Sequence, residues 1–136
     1  MNRIEGEIIE IQTEGQLSLV KVQSVPFPDD IFVSIVIDTS DTSKYLWKGN
    51  RVEILFKETE VILALSKPDN VSVQNQFDCR IKSLEKGKLL SKVNLDYYGF
   101  ELQSIITTAA VNRLQLKEGM ILAALVKTNE VSLGIL

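Results

Sequence analysis

Acid–base, nucleophilic and metal chemistry in proteins leans most often on histidine, and this sequence of 136 residues contains none. Ser-His and Cys-His nucleophile arrangements are therefore excluded, and the commonest metal ligand is missing. The single cysteine, Cys79, has no partner for an internal disulfide, which fits a reducing compartment. It reads as a small buried filler rather than a reactive thiol. The neighbouring carboxylates Asp29-Asp30 lack further oxygen donors at cation-binding spacing and read as a solvated loop. Trp47, just before Lys48-Gly49, reads as packing the barrel or a subunit contact in preference to stacking a ligand. What does recur is a lysine followed two positions on by a small polar residue, Lys57-x-Thr59 and Lys127-x-Asn129. In an extended strand such residues project to one face roughly 6.5 Å apart, so an ammonium and a hydroxyl or amide can bracket a small anion. The same lysines could instead blunt an exposed strand edge.

The elements that must carry these residues come in two copies. Lys57-Glu58-Thr59-Glu60-Val61-Ile62-Leu63-Ala64 aligns with Lys127-Thr128-Asn129-Glu130-Val131-Ser132-Leu133-Gly134 at an offset of 70 residues, as does Leu46-Trp47-Lys48-Gly49 with Leu116-Lys117-Glu118-Gly119. At the start of each half, Asn2-Arg3-Ile4-Glu5-Gly6-Glu7-Ile8 aligns with Asn75-Gln76-Phe77-Asp78-Cys79-Arg80-Ile81 at an offset of 73. Matches at both ends with one intervening length change point to duplication. The halves are residues 1–66 and 67–136, joined through Ser66-Lys67-Pro68-Asp69-Asn70. Within a half the apolar residues alternate (Ile4, Gly6, Ile8) or come in short bursts (Leu17, Leu19, Val20, Val22, then Val33, Ile35, Ile37) bounded by turn residues. Gly15-Gln16 and Gly87-Lys88 read as hairpin turns. The loop Pro26-Phe27-Pro28-Asp29-Asp30 has a shorter counterpart in Tyr98-Gly99. Residues 39–46 and 107–114 are the helical candidates, each opening on capping residues and followed by glycine. Five short strands with one short helix per half predict an all-β chain of two tandem OB-like barrels, the architecture that closes most sheet edges in few residues. Halves this small are expected to lean on each other or on further subunits.

Charge and hydropathy narrow the function classes. The net charge of −3 divides unevenly: residues 1–66 carry six Lys/Arg against eleven Asp/Glu, and residues 67–136 carry nine against seven. With aromatic content of 7% and no dense basic face, an OB-type nucleic-acid binder is the alternative that the barrel alone would motivate, not the reading preferred. Apolar runs stay short of the about 18 residues that cross a membrane. Residues 1–6 lack the apolar stretch of a signal peptide, so cytoplasmic residence is expected.

Val71-Ser72-Val73-Gln74-Asn75-Gln76-Phe77 resembles the opening signature of the Mop (molbindin, TOBE-type) family, Ser-Ala-Arg-Asn-x-(Leu/Phe). The Leu-x-x-Gly turn at Leu116-Lys117-Glu118-Gly119 and the Lys-x-(Thr/Ser)-x-Val closing strand resemble the same family, and the tandem form is similar to its di-Mop members. The resemblance implies a non-enzymatic chain that binds molybdate or tungstate at interfaces of a homotrimer, for storage, homeostasis or sensing, with no organic cofactor and no directly ligated metal. A structural or regulatory oligomerisation module working with molybdate transporter components is the alternative it implies. Carried over residue by residue, the family's lysine falls on Lys57 and Lys127, its small polar residue on Thr59 and Asn129, and its opening serine on Ser72. Its arginine position holds Gln74, which removes a cationic contact. Hydroxyl donors near the short helices fall on Ser40 and on Thr107 or Thr108. The opening motif has no counterpart ahead of Met1-Asn2, so the second half is expected to hold the better-formed contacts. Such a site matches the physics of molybdate, whose metal is already wrapped in oxide and asks for donors and positive charge, with helix-start N–H groups near Thr39 and Thr107 completing the cage.

Overall fold

The computed structural model describes residues 1–39 and 43–136. Among the described residues ten strands form two five-stranded antiparallel sheets. The first half supplies β1 (Asn2–Glu14), β2 (Leu17–Ser24), β3 (Ile31–Val36), β4 (Arg51–Phe56) and β5 (Ile62–Ala64). The second supplies β6 (Asn75–Lys86), β7 (Leu90–Tyr97), β8 (Phe100–Thr107), the helix α1 (Thr108–Leu114), β9 (Ile121–Val126) and β10 (Ser132–Ile135). Alternation reads directly as burial: Ile4 and Ile8 of β1 and Val52, Ile54 and Phe56 of β4 are buried while their neighbours are not.

The strand order is β10-β4-β1-β2-β3 in one sheet and β5-β9-β6-β7-β8 in the other. Each sheet thus takes four strands from one half and its edge strand from the other. β10 lies on β4 with Ser132 opposite Leu55, and β5 lies on β9 with Ile62 opposite Leu125. The halves are tied again by buried polar side chains. The Asn75 amide accepts from Val33 N–H at 2.7 Å and donates to Val33 C=O at 2.9 Å, and Asn2 holds Gln103 through the same two bonds, both at 2.8 Å. Ser34 Oγ donates to Val131 C=O at 2.6 Å and Ser104 Oγ to Val61 C=O at 2.9 Å. Every partner pair recurs at the repeat offsets of 70 or 73, so the duplication seen in the sequence is a reciprocal embrace in space. One core runs through both halves, with the Phe77 ring against Phe32, Phe56 and Tyr97 at centroid separations of 5.1, 5.8 and 5.3 Å.

The Leu-x-x-Gly turns do the same work twice. Gly49 and Gly119, at φ +98° and +89°, send their N–H groups to Ile8 C=O at 2.7 Å and Ile81 C=O at 2.8 Å, where β1 and β6 each carry a bulge. Of the two helical candidates, residues 107–114 hold α1 with Thr107 as its cap, whereas residues 40–42 of the candidate at 39–46 lie outside the described residues; Ser43 N–H reaches Thr39 C=O at 2.9 Å, and from Ser43 the chain continues through turns to Asn50.

Candidate functional site

Both repeated lysines stand at the same structural point. Phe56 and Val126 end β4 and β9 inside the core, and Val61 and Val131 re-enter it at 3% and 2% exposure. The four polar residues between these apolar anchors have no buried face to alternate toward, so they arch outward as one-turn 3-10 helices, Glu58–Glu60 and Thr128–Glu130. Each is closed by a 3.0 Å bond, Glu60 N–H to Lys57 C=O and Glu130 N–H to Lys127 C=O. The expected extended Lys127-x-Asn129 geometry is thereby corrected: Asn129 lies within a helical turn, and same-face strand spacing does not apply to it. Lys57, Thr59, Lys127 and Asn129 are all exposed.

The exchanged strands decide which residues meet. Because β10 runs along β4 and starts at Ser132 opposite Leu55, it delivers the turn before it to the foot of β4. A cleft of about 190 Å³ results, lined by Met1, Leu55, Phe56 and Lys57 from the first half and Asn129, Glu130 and Ser132 from the second. Lys57 and Asn129 share this cleft, a pairing that crosses the halves. Its charge is mixed, since Glu130 lines it and Glu58 forms an ion pair with the Met1 amino group. That amino group holds the Glu58 carboxyl below its ordinary range.

The other candidates fall in different places. The β6–β9 ladder ends at Asn75 opposite Val126, so exposed Gln74 and exposed Lys127 are the next residues on adjoining segments. Ser72, also exposed, precedes them in a segment that Gln76 ties back through Nε2 to Val73 C=O at 3.0 Å and Pro68 C=O at 3.1 Å. Thr107 caps α1, its Oγ1 accepting from Ala110 N–H at 3.1 Å, and it borders a separate cleft with Arg113. Ser40 lies outside the described residues.

Several residues with defined work escaped the sequence reading. Asn2, Asn75, Ser34 and Ser104 position the lysine turns by clamping each half onto the other. Their signal was a polar residue repeated at the duplication offset inside an apolar strand. Asp30 corrects the expectation of a solvated loop: it is 8% exposed and its Oδ2 accepts from the Tyr97 hydroxyl at 2.7 Å. Cys79 is buried as expected, and burial pushes its thiol far above the ordinary range. Trp47 is 54% exposed and so does not pack the barrel interior. Among the described residues no cluster of three or more Cys, Asp or Glu could hold a metal, and no helix is long and apolar enough to cross a membrane.

Comparison with known proteins joins these observations. Residues 71–133 match the TOBE domain. Over 83 residues the chain is 34% identical to the molybdenum import ATP-binding protein ModC of Rhizobium johnstonii, a match that covers 59% of this chain and 23% of that protein. This chain therefore spans less than a quarter of the length of that curated relative. A crystal structure of the cytoplasmic molybdate-binding protein ModG with molybdate bound superimposes with a TM-score of 0.89 at 26% identity, covering 99% of this chain and 96% of that one. The likeness to the TOBE domain thus lies in residues 71–133, and the ModG arrangement of strands extends over the whole chain.

Proposed function

We propose that this chain is a cytoplasmic, non-enzymatic binder of molybdate, accepting tungstate as well, that stores or buffers the anion or senses its level. The observation that carries the reading is the agreement with molybdate-bound ModG across 99% of the chain. In this reading residues 1–66 and 67–136 are two OB-like barrels that have exchanged their closing strands. A tetrahedral dianion needs several donors and net positive charge around four oxygens. Lys57 and Asn129 supply an ammonium and an amide in one cleft, but Glu130 and Glu58 stand beside them. One chain alone is therefore short of positive charge there. Assembly into a homotrimer answers the deficit, with Lys127, Ser72, Gln74, Thr59, Thr107 and Ser40 as the contacts that neighbouring copies would add.

Calorimetric titration with molybdate, tungstate, sulfate and phosphate tests the reading. Molybdate and tungstate are expected to bind and sulfate and phosphate to bind weakly. Replacing Lys57 or Asn129 by alanine should weaken molybdate roughly tenfold to a hundredfold, the scale of a lost hydrogen bond to a charged group. Lys127→Ala should weaken it as well. Absence of molybdate heat in the intact protein at millimolar concentration refutes the proposal. Light scattering should give a multiple of the 15.3 kDa chain, with a trimer expected. The match to an ATP-binding transport protein supports a second reading, an oligomerisation module for transporter components. A trimer that takes up no oxyanion would favour it.

A further inference from the structure

The first half carries a second cleft that the oxyanion reading does not use. It measures about 580 Å³ and opens between the bulge of β1 and the turns after residue 42. Ile9, Ile11 and Leu46 give it apolar walls, and Lys44, Trp47 and Lys48 stand around it. That volume lies within the range of small-molecule sites, about 300–1,000 Å³.

Residues 1–66 hold six cations among eleven carboxylates. Three of them are spoken for, Arg3 by Glu53 at 2.7 Å, Lys21 by Glu10 at 3.3 Å, and Arg51 by Glu5 and Glu7 at 3.6 Å. Among the described residues the other three, Lys44, Lys48 and Lys57, have no ion-pair partner; Lys57 lines the oxyanion cleft, and the carboxylate that borders the cleft of Lys44 and Lys48, Glu10, is engaged by Lys21. The Trp47 indole between them is 54% exposed, a large apolar face left in water. The repeat supplies a contrast: the positions matching Lys44, Trp47 and Lys48 are Leu114, Lys117 and Glu118, so the second half has neither the indole nor the paired ammonium groups.

We propose that this cleft binds a small planar aromatic anion, its ring stacked on Trp47 and its phosphate held between Lys44 and Lys48. An indole face suits a flat ring, and two ammonium groups suit a doubly charged phosphate. Neither feature suits a bare metal cation.

The chain holds a single tryptophan, so its fluorescence reports on this cleft alone. Titration of the full chain with adenosine 5′-monophosphate is expected to quench Trp47 saturably. Adenosine and inorganic phosphate should each be about tenfold weaker or more, since each keeps one of the two contacts. A Lys44→Gln/Lys48→Gln variant, checked for native circular dichroism, should lose about tenfold or more in affinity, while Lys88→Gln at the β6–β7 hairpin should match the parent. Trp47→Phe keeps a stacking face, and equilibrium dialysis should show it retaining the nucleotide. The proposal fails if quenching by the monophosphate is unsaturable, if the double variant binds as the parent does, or if inorganic phosphate alone reproduces the full effect.

Discussion

At the junction of the halves the Tyr97 hydroxyl lies 2.8 Å from Ser24 Oγ and donates to Asp30 Oδ2 at 2.7 Å. Burial raises the Asp30 carboxyl above its ordinary value of 3.8, against the lowering effects of the Tyr97 bond and of Lys67, while Asp78 and Asp29 add to the rise. The folded chain therefore holds that proton more tightly than the unfolded chain. Stability contributed at Asp30 is present below pH 3.8 and declines as pH rises through the elevated folded value. Asparagine keeps an oxygen for Tyr97 and removes the charge. Asp30→Asn is thus expected to melt at or above the parent temperature at pH 7, with the gap closing as pH falls toward 4. Melting curves between pH 4 and 8 check this, and a variant less stable than the parent at pH 7 would show that the ionised carboxylate is favoured. The expectation of a solvated loop came from the two residues just before it, Pro28 and Asp29, whereas its partner is 67 positions away.

Strands and turns show where local pattern suffices and where it stops. Alternation and turn residues located most of the strands and the Gly15-Gln16 and Gly87-Lys88 hairpins, because burial on one face and turn-forming residues are properties of close neighbours in the chain. The choice of sheet for β5 and β10 was not legible, since an apolar three- or four-residue strand fits either edge equally. Nor was the lysine turn, whose polar residues carry no periodicity. The repeated asparagines were visible but unassigned, and their importance can be measured. Asn75→Ala strands the buried N–H and C=O of Val33, so unfolding in urea should show a loss of about 2–4 kcal/mol. A loss under 1 kcal/mol would mean that water replaces the amide. The glycine position of β1 differs from its counterpart for a steric reason. A Cβ at Gly6 would sit 2.5 Å from Val22 Cγ1 and 2.8 Å from Ile54 Cδ1, whereas β6 accommodates the whole Cys79 side chain. Gly6→Ala should cost about 1–3 kcal/mol by overpacking.

For the whole molecule, strand exchange makes the halves interdependent. Residues 67–136 alone would lack β5, exposing the edge of β9, and would carry a β10 with no β4 to pair with. Separate expression of that segment is expected to give self-associating or unfolded material, and the full chain to unfold in one calorimetric transition with equal van't Hoff and measured enthalpies. A folded monomer of residues 67–136, seen as dispersed amide resonances at micromolar concentration, would contradict this.

The exchange also sets how the chain would bear tension. β1 and β10 both run antiparallel to β4 and flank it, so they are parallel to each other, with Asn2 at the Phe56 end of β4 and Ile135 at the Val52 end. A force pulling Asn2 and Ile135 apart acts along these strands, while their hydrogen bonds to β4 lie across it. Those bonds are loaded together in shear instead of being unzipped one by one. The exchange that brings Lys57 and Asn129 into one cleft also gives the molecule a mechanical clamp between Asn2 and Ile135.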